Sequence, residues 1–371
     1  MVKLLELSDC HLLNGRTPTE HILKSFSRLI PFNEETAQLD GIIIAGDLFD
    51  RNGNLSDDRA VIILKWFRSF FQFCETHSIF IRLLEGTPFH DRRQGRIIEA
   101  LAACFSQLNF RYIDTVCVEV IQPHNLSIVY VPDEWKSGPD DAWVDAQLAL
   151  REKGIEQVDL AVMHGCFPHQ VPVVVKGPRH DPVKWQNIVK HFVLIGHIHV
   201  QSQLDKILAA GSTDRIAHNE PKPKGIYRLT LRDNGEDTVE FIENKNAWQY
   251  VTLRLEGKSI EEAMKDVRLI VRGLRDGAYI QLKGDPLDPL AQGIAELKRQ
   301  YPQFNWDFNN DKERKKTTPT DTINQPVFKP ITITRDNVLE LTKAKLHQFT
   351  DDPVLHSNAL SLLEVLLRES S

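Results

Sequence analysis

Hydrophobic positions fall into short, dense runs that alternate with longer amphipathic stretches. Val2–Leu7, Gly41–Ala45, Ile79–Leu84, Leu160–Met163 and Val193–Ile195 are the runs. Short apolar runs bounded by glycine or polar residues read as buried strands, and those covered on both faces belong to α/β sheets. Between them, residues 19–31, 56–78, 94–108 and 140–153 place apolar side chains at helical spacing. Further short strands are expected at 111–121 and 126–131, before Pro132-Asp133-Glu134-Trp135 breaks the pattern. Alternating strands and helices predict a layered α/β domain. The aromatic face of 56–78 (Trp66, Phe67, Phe70, Phe71, Phe73) is expected to pack in its core.

Past residue 245 the pattern restarts. Tyr250–Leu255, Ile260–Leu274, Ala278–Leu282, Leu290–Arg299 and Phe304–Phe308 read strand, helix, strand, helix, strand. A polar stretch at 310–334 then leads to two helices, about 335–349 and 353–369. Leu339, Leu341 and Leu346 mark the first, and Leu360, Leu362, Leu363, Leu366 and Leu367 the second. This predicts a main domain over 1–245, a small one over 246–309, a linker over 310–334 and a helical segment over 335–371.

Composition narrows the class. At 371 residues, with 42% hydrophobic and 26% charged side chains, the chain has the make-up of a globular protein. No apolar run approaches the about 18 residues of a membrane span. Met1–Leu7 carries charges within a short apolar run, so it is expected to be a first strand and not a signal peptide. Cys10, Cys74, Cys104, Cys117 and Cys166 form no Cys-x-x-Cys pair, which points to a reducing, cytoplasmic setting. The net charge of −6 gives no global pull on nucleic acid, so a nucleic-acid enzyme would rely on local basic patches and metal ions.

Candidate chemistry gathers where strands stop. Val2–Leu7 runs into Ser8-Asp9-Cys10-His11, and Gly41–Ala45 into Gly46-Asp47-Leu48-Phe49-Asp50. Ile79–Leu84 runs into Glu85-Gly86-Thr87-Pro88-Phe89-His90-Asp91-Arg92-Arg93. The later strands end in His164-Gly165 and Gly196-His197-Ile198-His199. Open α/β sheets hold ligands beyond the carboxyl ends of their strands. Asp47 is therefore expected to point out of the sheet edge, where it can bridge metal ions. On extended backbone, Asp9 and His11 would face one way, as would His197 and His199. His90 and Asp91 adjoin in a tight loop that lets a carboxylate orient an imidazole. Arg92, Arg93 and Arg96 are either a solvated helix start or a phosphate contact. His169, His180, His191 and His218 lack a strand-end placement and are expected to be structural.

In their order, Asp9-x-His11, Gly46-Asp47-x-x-Asp50, the loop at 86–91, His164 and Gly196-His197-x-His199 resemble the calcineurin-like metallophosphoesterases. Within that superfamily the chain resembles the SbcD-type DNA repair nucleases, relatives of the eukaryotic meiotic-recombination nuclease that occur in bacteria and phages. Gly211-Ser212-Thr213-Asp214-Arg215, Lys224-Gly225-Ile226-Tyr227, the unit at 249–308 and the C-terminal helices carry that closer likeness. The resemblance implies a four-layered α/β sandwich with a small α+β capping domain and a C-terminal helical pair. It implies two divalent ions, manganese first and magnesium as the alternative, which fits the mixed nitrogen and oxygen donors and lack of thiolates. Asp47 would bridge them. Asp9, His11 and His199 would complete one site, and His164 and His197 would belong to the other. His90 would serve the leaving oxygen, with Asp91 holding its ring.

The implied role is a DNA exo- or endonuclease subunit of an SbcCD-like repair complex. It would be a homodimer through the 56–78 or 94–108 region, docked on an SMC-like coiled-coil ATPase through residues 335–369. Its place would be the bacterial cytoplasm, or the host cytoplasm for a phage-encoded copy. One loop departs from the pattern. The family writes Gly-Asn-His-Asp, and its Asn ligates the second ion; here the loop is two residues longer, and Thr87 follows the glycine. Three completions stay open: Thr87 ligates directly or through water, the second ion binds weakly, or the second site is lost. Two alternative functions go with this, a small-substrate phosphodiesterase or phosphatase, and a catalytically weakened subunit that docks DNA and the ATPase.

Overall fold

The computed structural model describes residues 1–53, 57–132, 139–175, 178–310, 338–349, 356–358 and 360–362. They fall into two units, 1–311 and 312–371. The first unit begins with strand β1 (Val2–Leu7), helix α1 (Thr19–Leu29), β2 (Gly41–Ala45), α2 (Asp58–Thr76), β3 (Phe80–Leu84), α3 (Gly95–Ala102) and β4 (Phe110–Ile113). The strands β1 to β4 pair in parallel in that order. A second series follows: β5 (Cys117–Ile121), β6 (Leu126–Val131), α4 (Pro139–Lys153), β7 (Val158–His164), α5 (Pro182–Asn187), β8 (Val189–Gly196), β9 (Ser202–Leu204) and β10 (Ile207–Ala209). Its sheet has the order β5-β6-β7-β8-β10-β9, with β6, β7, β8 and β10 parallel. Two more strands, β11 (Gly225–Leu231) and β12 (Thr238–Glu243), return antiparallel to the first sheet, giving the order β12-β11-β1-β2-β3-β4.

The side-chain parity of the strands stacks these sheets. On β1, Leu5 and Leu7 face α1 and α2, where Phe26, Phe67, Phe70 and Phe71 are buried with them. Val2 and Leu4 face the other way, against Ile128, Leu160, Val162 and Leu194 of the second sheet. The outer face of that sheet (Val129, Ala161, Met163, Val193) is covered by Ala146 and Leu150 of α4 and Trp185 of α5. The result is a four-layered sandwich: helices, sheet, sheet, helices. Phe71 is fully buried and meets Phe67, Phe70, Phe105 and Phe110. Phe71→Ala should cost about 3–5 kcal/mol of stability through the cavity it leaves. Chemical denaturation would register this as a lower midpoint at unchanged slope.

The structure departs from the sequence expectations in places. The helix expected over 94–108 stops at Ala102, and Ala103–Ser106 turn away from it. Residues 111–121 are not one strand region: β4 belongs to the first sheet and β5 to the second, and the chain crosses between them. The strands β9, β10 and β12 and the helix α5 have no counterpart in the hydrophobic pattern, because β9 and β12 are partly exposed edge strands with mixed polarity.

Beyond β12 lie β13 (Tyr250–Arg254), α6 (Ile260–Val271), β14 (Tyr279–Gly284), α7 (Pro289–Gln292), α8 (Ile294–Gln300) and β15 (Asn305–Asn310). Ser259 and Glu262 form a capping box that starts α6. The three strands are all parallel, with helices as crossovers, around a core of Leu253, Val267, Ile280, Leu282, Leu297 and Trp306. The small unit is thus an alternating βαβαβ element; its helices are not segregated as an α+β unit would have them.

In the second unit, α9 (Val338–Phe349) is a helix, and residues 356–358 and 360–362 are helical. The remainder of the expected helical pair, and the stretch at 311–337, lie outside the described residues. Among the described residues, no helix is long and apolar enough to cross a membrane.

Candidate metal centre

Five parallel strands, β1, β2, β3, β7 and β8, bring their carboxyl ends to one rim of the facing sheets. There the backbone leaves strand geometry at once. Asp9, His11 and Asp47 have φ of 49°, 50° and 50°, and His197 has φ of 102°. These angles correct the expected reason for the pairing of Asp9 with His11 and of His197 with His199. Left-handed residues in the loops, held by Asp9 N–H to the Gly46 carbonyl (3.1 Å) and Cys10 N–H to the Asp47 carbonyl (2.8 Å), direct the side chains. Alternation along a strand does not. Strained backbone of this kind persists only where its surroundings over-determine it.

The side chains form three overlapping groups, each with donor atoms within 4.8 Å of one another: Asp9, His11 and His199; His11, Asp47 and His90; Asp47, His164 and His197. Each group can hold a metal ion. His11 Nε2 and His199 Nε2 lie 2.9 Å apart. The outer nitrogen of each ring faces a carboxylate, His11 Nδ1 toward Asp50 at 3.3 Å and His199 Nδ1 toward Glu220 at 2.7 Å. Those contacts place a proton on each Nδ1 and leave two Nε2 lone pairs facing each other, which a cation or a proton between them reconciles. His164 follows the same rule. Its Nδ1 meets the Ala45 carbonyl at 2.9 Å, and its Nε2 faces Asp47 Oδ1 at 3.3 Å. The residues therefore fit divalent ions bound by histidine nitrogen and carboxylate oxygen.

Asp47 stands between the groups. One oxygen faces His164, and the other lies 3.8 Å from His11 Nε2. Burial alone would raise its carboxyl, but the imidazoles of His164, His11 and His90 outweigh that and hold it well below the usual range. Two glycines let it sit there. A Cβ on Gly46 would meet the His164 ring at 2.2 Å, and one on Gly86 would lie 2.1 Å from the Asp47 nitrogen. Asp9 accepts from Ser8 Oγ at 2.8 Å and from the His197 N–H at 2.9 Å, which tie β1 to the end of β8.

The loop after β3 carries the remaining expected residues. Thr87 donates its N–H to Asp47 Oδ1 at 2.6 Å. The His90 ring lies edge-on to His11, 5.0 Å between centroids. Asp91 does not hold that ring. Its oxygens accept the N–H groups of Phe49 (2.8 Å) and Gly86 (2.7 Å), so it fastens the loop to the end of β2. The His90 ring is held instead by the Asp50 carbonyl, 2.9 Å from Nδ1, which leaves Nε2 for the substrate side. Arg92 and Arg93 are exposed and outside the three groups. Arg92 Nε donates to the Phe89 carbonyl at 3.1 Å, and Arg93 leans toward Asp114 at 4.0 Å.

Two carboxylates escape sequence reasoning. Asp50 enters it only as part of a motif, yet it meets His11. Glu220 lies in a loop with no strand-end signal, and only the fold brings it to His199. Burial would raise Glu220, but His199 and Lys224 pull it well below the usual range. Burial would lower His199, and its bonds to Glu220 and then Asp9 raise it. Buried Lys224 anchors the arrangement, donating to the His199 carbonyl and Ser212 Oγ, each at 2.8 Å, and pairing with Glu220 at 3.0 Å. Glu220→Gln should weaken metal binding at the Asp9, His11 and His199 group by roughly 10–100-fold, the scale for such outer partners. Titration with Mn2+ would show it as loss of the tighter binding step. Of the other histidines, His191 pairs with Asp237 at 2.7 Å and His180 packs against Phe167 and Trp185, both away from the rim.

No family model matches this sequence. No curated protein matches it closely. Solved structures do match in part. One, the crystal structure of TT1561 of Thermus thermophilus, is 13% identical, covers 66% of this chain and 99% of its own, and has a TM-score of 0.39. A second, at 9% identity and a TM-score of 0.38, has the same coverage. At these scores neither likeness carries an argument about activity.

Proposed function

We propose that the chain is a metal-dependent phosphodiesterase of the calcineurin-like kind, and within it a DNA nuclease subunit of the SbcD type. One observation carries this reading: two groups of histidine and carboxylate donors share Asp47 at the carboxyl ends of parallel strands. Phosphodiesters are unreactive anions, and paired ions answer both difficulties. When bound, two divalent ions supply Lewis acidity and lower the pKa of water between them. Asp9, His11 and His199 hold one, and His164 and His197 the other, with Asp47 common to both. Asp9 and Asp47 offset part of the added positive charge and leave a net attraction for phosphate. His90, fixed by the Asp50 carbonyl, is placed to protonate the leaving oxygen.

The DNA substrate is supported by the sequence resemblance and by the βαβαβ unit beside the rim, which a small-molecule phosphatase does not need. Tyr250 of that unit bonds Thr17 at 2.8 Å, joining it to the loop that follows His11. The ATPase partner, engaged through 335–369, and the homodimer rest on the resemblance. The replacement of the family Asn by Thr87 favours one second reading, a subunit with weakened catalysis that docks DNA and ATPase.

The test is hydrolysis of linear duplex and circular single-stranded DNA with Mn2+, beside a chromogenic phosphodiester. Mn2+-dependent DNA cleavage that is lost in Asp47→Asn is expected. Turnover of the chromogenic ester alone would favour the small-substrate alternative, and no turnover of either the docking one.

A further inference from the structure

We infer that the Thr87 hydroxyl is a direct ligand of the second metal ion, making a four-donor site with Asp47, His164 and His197. The inference rests on the two-metal reading and concerns how this chain completes it without the family Asn. Thr87 Oγ1 lies 3.3 Å from His164 Nε2, 3.3 Å from His197 Nδ1 and 3.4 Å from Asp47 Oδ2. His164 Nε2 is in turn 3.3 Å from Asp47 Oδ1.

Hydrogen bonding accounts poorly for this pattern. A hydroxyl has one proton to donate, and its bonds to oxygen are usually about 2.7–2.8 Å long. Thr87 Oγ1 has three acceptor-rich neighbours, all beyond that length and all at nearly the same distance. Coordination accounts for it directly. Donors about 2.1 Å from a tetrahedral ion are spaced about 3.4 Å from one another. Thr87 Oγ1 thus stands at a corner of a coordination shell whose other corners are the two imidazoles and the shared carboxylate.

The backbone fixes it there. The Thr87 N–H donates to Asp47 Oδ1 at 2.6 Å, and Gly86, with no Cβ, lets the loop close on Asp47. Thr87 accepts the N–H groups of His90 (2.8 Å) and Asp91 (3.0 Å) at its carbonyl, so the longer loop is wound into a turn after the hydroxyl and not before it. The inserted Pro88 and Phe89 therefore fall outside the shell. A neutral hydroxyl is a poorer donor than an amide carbonyl, so the second ion should bind more weakly here than with Asn in place.

Equilibrium dialysis of the full chain against Mn2+, with metal content measured, tests this without reference to activity. The wild type should bind two ions. Thr87→Val keeps the shape and removes the oxygen; it should keep the first ion and weaken the second by about tenfold or more, as loss of even outer partners does. Thr87→Ser should restore the second ion, which guards against a misfolded valine variant, and Thr87→Asn should tighten it. Unchanged binding of two ions by Thr87→Val, or tighter binding of the second, would overturn the inference and leave the two-metal reading intact. A wild type that never takes up more than one ion would overturn both.

Discussion

Asp47→Asn is expected to abolish metal-dependent hydrolysis while leaving the fold in place. Asp47 is the donor common to both groups, so its charge acts on two ions at once. Losing it removes several kcal/mol of transition-state charge stabilisation, a fall of roughly a thousandfold or more in rate. Structure should survive, because the Asp47 carbonyl still accepts from Cys10 and His11, and the asparagine oxygen can still accept from the Thr87 N–H. Alanine would be a poorer choice, since it leaves that buried N–H without an acceptor. Steady-state turnover of a DNA substrate, with a thermal melt as the control, would check both halves. A variant with wild-type rates would remove Asp47 from the mechanism.

His90→Gln should separate chemistry from metal binding. The ring sits beside His11, so it is close enough either to ligate or to transfer a proton. The Asp50 carbonyl holds Nδ1 and leaves Nε2 as the working nitrogen. As a general acid, His90 should account for roughly 10²–10⁴-fold in rate. Its loss should lower kcat, flatten the acidic or basic limb of the pH–rate profile, and leave Mn2+ affinity unchanged. If affinity falls in step with kcat, His90 is a ligand instead. Asp91 variants should behave differently. Asp91 bonds the backbone of Phe49 and Gly86, so Asp91→Asn should loosen the loop and disturb metal binding along with turnover.

The residues gathered at the rim are those that end apolar runs in the sequence, and this has a physical cause. Parallel strands buried on both faces leave their carboxyl ends as the natural exit for polar side chains. Asp9, Asp47, Thr87, His164 and His199 all follow such runs. What the chain does locally at those ends was not legible. The left-handed φ of Asp9, His11 and Asp47 depends on hydrogen bonds between loops far apart in sequence. Glu220 carried no signal, because its partner His199 is brought to it by the return of the chain into β11. The His90 and Asp91 pair misled for the opposite reason. Neighbours in a tight turn point apart, and the carbonyl that holds the ring came from Asp50, 40 residues away. Edge strands such as β12 hid because their alternation of exposed and half-buried residues dilutes the apolar pattern.

The most direct test of the centre is anomalous scattering from crystals soaked in Mn2+. A two-ion centre predicts two peaks flanking Asp47, about 3.5–4 Å apart as in other paired-metal sites. One peak would lie among Asp9, His11 and His199, and the other among His164, His197 and Thr87. No peak at this rim, or a peak that does not touch Asp47, would contradict it.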